Sequence, residues 1–486
     1  MITPEAPDRA YSTRLRTALL LTGSGTAGAY HAGVLRALHE AGVKVDLVGG
    51  RGIGAASAVF AAIDGGARLW EPAGLWKDRS ARRFYGWRRP LRLAGYAALA
   101  AGLVLLLPLA LLAAAVVTGL VGLVLSLVGL ETAGAALTGA FTGWVTTLFV
   151  PSALPTVVPR LALFAVLVAA GILASALVAS YVRDPIRRRA RSGFLWRLFG
   201  APLSADTFAD RSAVELWNLI RGAAPLAAPA PRELARKYVE LLGENLGQPG
   251  FRELLVTAHD LDARRDLVFA FLAPPRRSRF FSPALHEPGA RQVETFDLSG
   301  VARDHVLDAL RAALAVPLAT DPHLVRFSAE GPWRGEAHRL CDRPDGLARL
   351  IEEAAHAGAD QIILVSAAPP QGQAHALSAG RADLRGRAGE QLASFETASL
   401  RDAVEQFTGR FASLFVIRPP HNPVTPLDFG GVYDERSDRR QTLGELLDRG
   451  YEDAHRQFIE PIVGAGAEPA EPVRQVNGTQ PAPSQL

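Results

Sequence analysis

Apolar positions along this chain first fall in short blocks separated by glycine, and from residue 93 in long runs without charge. Thr17 to Leu21 predicts a brief strand. From His31 to Ala41, Val34, Leu35 and Leu38 recur at helical spacing, with Gly42 as a natural C-cap. Val45 to Val48 predicts a second strand, and Ile53 to Ile63 a small-residue helix closed by Gly65 and Gly66. Strand alternating with helix over residues 15–70 predicts an α/β domain with a parallel sheet. The pattern resumes after residue 200, with strands at Leu254–Thr257, Val268–Leu272, Gln361–Val365 and Phe415–Ile417. Helices are expected at Val301–Ala315, Leu347–Ala357 and Thr442–Phe458, and loops at the Pro- and Ala-rich runs 223–231 and 368–380. The Pro-, Gln-, Ala- and Gly-rich end reads as a disordered tail, and no internal repeat is present.

The middle of the chain reads as membrane. No charged residue lies between Arg92 and Glu131, between Glu131 and Arg160, or between Arg160 and Arg183. As helix, the first gap is roughly 57 Å long and the third roughly 33 Å, against a hydrocarbon core of about 30 Å. The second, 132–159, carries Thr, Gly and the prolines 151, 155 and 159, and is expected to be interfacial or re-entrant, because free backbone groups are costly in lipid. Lys77, Arg79, Arg82, Arg83, Arg88, Arg89 and Arg92 precede the insertion; Arg183, Arg187, Arg188, Arg189, Arg191 and Arg197 follow it. Basic residues at both ends place both ends in the cytoplasm and make the number of crossings even: two, with four as the alternative. Trp70, Trp76, Tyr85, Trp87 and Trp196 are expected to form an interfacial aromatic belt. The domain plan is then residues 1–76 and 201–465 as two parts of one α/β domain, 77–200 as a transmembrane insertion, and 466–486 as the tail.

Composition narrows the classes. A chain of 486 residues, 49% hydrophobic and 21% charged, is too apolar and too long for one ordinary soluble domain. The single cysteine, Cys341, excludes a disulfide scaffold and any Cys-rich metal site. No histidines stand at HExxH spacing, so no metal and no cofactor are expected; His338-x-x-Cys341 is isolated. The first sixteen residues lack the apolar core of a signal peptide. Net charge +4 is concentrated at the membrane borders, so the expected partners are membrane lipids and anionic headgroups, not nucleic acid. The localisation expected is an inner or cytoplasmic membrane, with the α/β domain in the cytoplasm.

Two glycine turns hold the candidate chemistry. The first, Thr22-Gly23-Ser24-Gly25-Thr26-Ala27-Gly28, would present backbone N–H groups at a helix N-terminus, an anion or oxyanion site. Gly23-x-Gly25-x-x-Gly28 also fits a dinucleotide fingerprint, but that needs an acid ending the second strand, and Asp46 stands at its start. The second turn, Gly50-Arg51-Gly52-Ile53-Gly54, has the Gly-x-x-x-Gly shape of a nucleophile elbow.

Together these turns resemble the patatin-like phospholipase family, with its glycine loop, its Ala-Tyr helix carrying Gly-Val-Leu, then Asp and Gly-x-Ser-x-Gly. Ala312-Ala313-Leu314-Ala315-Val316-Pro317, Gly358-Ala359-Asp360 and Leu427-Asp428-Phe429 are similar to later family segments. The resemblance implies a three-layer α/β sandwich with a mainly parallel sheet, here interrupted by the helical insertion. It also implies a Ser–Asp dyad and an oxyanion hole of glycine-loop amides. Gly52 stands where the family has its Ser, so no oxygen is available there to attack an ester. Asp342 falls about where the family's Asp belongs, although Arg343 and Pro344 follow it; Asp345 and Asp428 are further candidates. Gly23, Ser24, Gly25 and Gly28 are the expected ligand-binding loop, and Gly50 and Gly54 flank the elbow. Ser57 is expected to point elsewhere, and Ser24 to compete with the loop amides. His259 ends a strand beside Asp260 and Asp262. The function expected is an integral membrane, lipid- or acyl-binding pseudo-hydrolase. An acyl-ester hydrolase with an unusual nucleophile and a membrane scaffold are the alternatives.

Overall fold

The computed structural model describes residues 11–148, 154–183, 201–282, 291, 293–331, 333–370 and 383–464. Trp196, the arginines at 187–197, the tail and most of the expected loop at 368–380 lie outside these. The chain divides into two compact units, residues 1–85 with 205–486, and residues 86–204.

The first unit opens with β1 (Thr17–Thr22), α1 (Ala27–Glu40), β2 (Leu47–Gly50), α2 (Gly54–Ala62) and the single turn α3 (Ala67–Trp70). In the second unit, strands β3 (Gly86–Trp87) and β4 (Leu203–Ser204) pair antiparallel around α4 (Arg89–Leu127), α5 (Glu131–Leu148) and α6 (Leu154–Arg183). The first unit continues through α7 (Asp206–Arg221), α8 (Pro231–Asn245), β5 (Glu253–Asp260), β6 (Arg265–Phe271), α9 (Pro274–Phe281) and β7 (Val293–Asp297). Then come α10 (Val306–Leu314), β8 (His323–Arg326), β9 (Ala337–Cys341), α11 (Leu347–His356) and β10 (Gln361–Ser366). It ends in α12 (Leu384–Phe407), β11 (Ser413–Ile417), the hairpin β12 (Val432–Asp434) and β13 (Arg439–Gln441), and α13 (Leu443–Ala454).

Among the described residues one sheet runs β11-β10-β1-β2-β5-β6-β7, with β9 added to β5 and β8 to β9. The five strands from β11 to β5 are parallel; β6 and β9 pair antiparallel with β5. Every residue of β1, β2 and β10 is buried, as expected for parallel strands covered on both faces. One face packs Leu20, Leu255 and Ile362 against Leu350 and Ile351 of α11 and Leu400 and Phe407 of α12. On α1, Tyr30 donates from its hydroxyl to Asp453 of α13 (3.1 Å). The α/β reading, with a mainly parallel sheet flanked by helices, therefore holds.

In the second unit α4 is one 39-residue helix, long and apolar enough to cross a membrane. Its apolar side chains are largely exposed, Leu109, Leu112 and Val117 each at about three-fifths. The segment expected to be interfacial or re-entrant is helical over Glu131–Leu148. Its threonines satisfy themselves on the preceding turn: Thr138 donates to Gly134 O at 3.0 Å and Thr142 to Thr138 O at 2.7 Å. Pro155 falls in the first turn of α6, where a missing N–H costs nothing. The aromatic belt needs correction as well. Trp76 and Tyr85 are buried in the α/β unit, where Trp76 packs on Phe84 and Phe208 and Tyr85 stacks on Phe429. Residues 77–85, assigned from sequence to the insertion, belong to that unit, closed by buried Phe84 and Tyr85.

Candidate functional site

The site lies where β1 and β2 end side by side. Gly50 is the last residue of β2, Gly54 the first of α2, and Gly52 stands at the bend between them, with the positive φ of +57° that glycine tolerates best. The bend is pinned to the first loop: Ile53 N–H donates to Gly23 O (2.8 Å), and Arg51 N–H to Leu21 O (3.2 Å). The Gly23 carbonyl consequently lies over Gly52, and a Cβ built there would overlap it while lying 3.1 Å from Asp342 Oδ2.

Asp342 follows β9 and is buried, its own N–H donating to Ala315 O (2.8 Å). It is thus the aspartate that faces Gly52. Asp345 instead pairs with Arg343 (3.1 Å), and Asp428 accepts from Thr425 in its own turn (2.7 Å).

Two residues the sequence reading did not single out complete the group. The Arg51 side chain, 1% exposed, reaches Glu396 of α12 at 3.2 Å and Asp342 at 3.6 Å, and donates to Arg343 O at 2.8 Å. Burial pushes the Asp342 carboxyl above its ordinary range, against the pull of Arg51 and of the Arg343 and Gly52 N–H groups. Glu396 is pushed up for the same first reason, with Asp342 adding repulsion. One guanidinium serves two buried carboxyl groups, so the group favours keeping one of them protonated.

Ser24 differs most from expectation. Its side chain does not merely compete with the loop amides: the hydroxyl donates to Asp342 Oδ2 at 3.4 Å, a loose bond, and also interacts with Glu396. Among the described residues, no hydrogen bond joins the N–H of Gly23, Ser24 or Gly25 to another residue. The next three amides are used internally, Thr26 on Pro426 O (2.9 Å), Ala27 on Ser24 O (3.2 Å) and Gly28 on Gly25 O (3.4 Å). Behind them His31 is buried, its Nε2 3.1 Å from Thr22 O; burial lowers its pKa to about 4, so it is neutral at pH 7. Ser24 and Glu396 line a cavity of about 540 Å³, with Ala393, Thr397, Asn422 and Pro426 among its other walls.

The other candidates lie apart. Ser57 is buried on α2, with no partner for its hydroxyl among the described residues. His259 pairs with Asp266 (2.8 Å), His338 with Asp260 (2.6 Å), and Asp262 accepts from Arg339. Cys341 is buried, and desolvation pushes its thiol up to about 12. No group of three metal-ligating side chains occurs among the described residues.

A mainly parallel sheet whose strand ends bring together a glycine loop, a tight strand-to-helix bend and a buried aspartate has the strand–turn–helix plan of a nucleophile elbow, here with glycine at its centre. Residues 19–126 match the family model described as Patatin-like phospholipase, so the resemblance drawn from the two glycine turns holds. No curated protein matches the sequence. Among solved structures, VipD from Legionella pneumophila is similar at 12% identity with a TM-score of 0.29, covering 93% of this chain and 67% of that one.

Proposed function

We propose that this is an integral membrane protein of patatin-like phospholipase type that binds a lipid ester beside its glycine loop and takes no nucleophile from its elbow. The observation that carries this reading is Gly52. It has no side chain, and the Gly23 carbonyl fills the place one would need. Around it, the loop keeps amides with no hydrogen-bond partner among the described residues, which suit a carbonyl or phosphate oxygen, and Ser24 of that loop borders a cavity large enough for part of a lipid. Asp342, freed from an elbow serine, is held by Arg51. In this reading α4 and α6 make two crossings, the basic flanks meet anionic headgroups, and the α/β unit lies in the cytoplasm.

The test is binding of a fluorescent phosphatidylcholine by the full chain in detergent. Ala393→Trp, which fills the cavity, is expected to weaken binding at least tenfold while leaving the circular dichroism unchanged. Equal affinity in the filled variant would refute the reading.

A further inference from the structure

We propose that the chain holds a second binding site, apart from the glycine turns, in which His305 accepts a hydrogen bond from a small neutral ring bearing a hydroxyl, a phenol in its simplest form. The site goes beyond the lipid-binding reading and does not rest on it, because its cavity shares no lining residue with the one beside Ser24.

The cavity, about 280 Å³, lies between β7, the connection from β7 to α10, and the loop joining β8 to β9. Phe281, Phe296 and Phe327 give it aromatic walls. Phe296 and Phe327 are held by stacking on each other, with centroids 4.9 Å apart and planes at 21°, and both meet Trp333 edge-on. Fixed aromatic walls favour a ring over a flexible chain, because aromatic pairs gain more than the area they bury. A volume at the small end of ligand sites suits a ring with one or two small substituents. Among the described residues, the only charged groups lining the cavity are Arg277 and Asp297, and these pair with each other at 2.6 Å. The walls therefore carry no net charge to compensate an anion or a cation taken out of water.

The polar feature of the cavity is His305. It is 3% exposed, ends the turn Arg303–His305, and donates from Nδ1 to Asp308 Oδ2 in the first turn of α10 (2.9 Å). His323, the first residue of β8, holds the other carboxylate oxygen, Nε2 to Oδ1 at 2.9 Å. Burial works against the charge on Asp308, but the hydrogen bonds from His305 and His323 outweigh it and hold the carboxyl well below its ordinary range. An ionised carboxylate only accepts, so the proton of a neutral imidazole is placed on Nδ1 and Nε2 keeps its lone pair. That Nε2 has no hydrogen-bond partner among the described residues, and it is not sealed off in the interior. An acceptor in an apolar pocket is costly to leave unmatched, and a ligand's O–H supplies the match. Asp308 is thus a positioning residue: it decides which ring nitrogen accepts.

The experiment follows p-fluorophenol, and p-fluoroanisole, which lacks the O–H, by fluorine NMR with the full chain in detergent; empty micelles give the background for both. The expected result is binding of p-fluorophenol about tenfold tighter than p-fluoroanisole, the worth of one hydrogen bond left unmade. His305→Phe keeps a ring in place and removes the acceptor, so the preference should vanish. Asp308→Asn keeps the imidazole but frees its tautomer, so the preference should shrink while p-fluoroanisole binds as before. A fall in both affinities together would overturn the positioning role. Val301→Trp, at an exposed wall of the cavity, should weaken both probes about tenfold, which keeps the test valid if the histidine variant folds poorly. Equal affinity of the unaltered chain for the two probes, or no binding beyond that of the micelles, overturns the proposal, as does a preference that survives in His305→Phe.

Discussion

Replacing Gly52 by alanine asks whether the bend is closed to any side chain, and a second glycine supplies the control. Gly52 and Gly42 have nearly the same backbone, φ +57° and +64°, but a Cβ at Gly42 would meet nothing within 4 Å, whereas one at Gly52 overlaps the Gly23 carbonyl. An alanine in the left-handed region costs roughly 1–2 kcal/mol, and that should be the whole effect at Gly42, which follows α1 and is exposed. At position 52 the Gly23 carbonyl must also move, which weakens its 2.8 Å bond from Ile53 N–H. A lost bond of this kind is worth about 1 kcal/mol, and crowding a packed interior about 1–3 more. The totals are about 4 kcal/mol at Gly52 and about 1.5 at Gly42. At roughly 2.5 °C per kcal/mol for a domain this large, Tm should fall by about 10 °C and about 4 °C. The seven tryptophans make intrinsic fluorescence during heating of the detergent-solubilised chain a direct assay. Equal shifts in the two variants would refute the reasoning, because they would mean that the bend has room and that a serine at 52 could sit there and reach Asp342.

The remaining predictions concern charge and topology. Asp342 and Glu396 both hold their protons more tightly when folded than when unfolded, so their contribution to stability is full below about pH 4 and is lost as pH rises through their raised values. Glu396→Gln removes one of the two, and the fall of Tm as pH rises above about 4 should become shallower; an unchanged slope would show that Glu396 is not part of it. For the membrane unit, cysteines at Arg89 and Ala201 should be shielded from an impermeant maleimide in intact cells, and one at Leu130, between α4 and α5, should be labelled. The native Cys341 is buried and gives little background. Labelling of all three, or of Arg89→Cys alone, would contradict two crossings with both ends inside.

What could be read from the sequence was what local spacing encodes, and what could not was what the fold brings together. The stretch from Thr17 to Ile63 was legible because glycine, small residues and period 3.6 mark each of its ends, and the structure shifts these boundaries by only a few residues. Helix α12 was missed: its buried apolar positions, Leu392, Leu400, Ala403 and Phe407, are diluted by glycine, serine and charge, so no stripe stands out. That omission hid Glu396, and with it the reason for a buried arginine at the elbow, since Arg51 alone looks like any charged turn residue. Ser24 is visible in the sequence, but its partner is not, for a related reason. Seen as one member of a glycine loop it can only interfere with the amides; seen beside Asp342, 318 residues further along, it is the one hydroxyl hydrogen-bonded to that carboxylate among the described residues. A resemblance aligned motif by motif compares position 52 with a serine and reports a loss. The folded chain compares oxygens with oxygens. By that measure one hydroxyl does meet the buried carboxylate, from the first loop at 3.4 Å, while the elbow itself carries none.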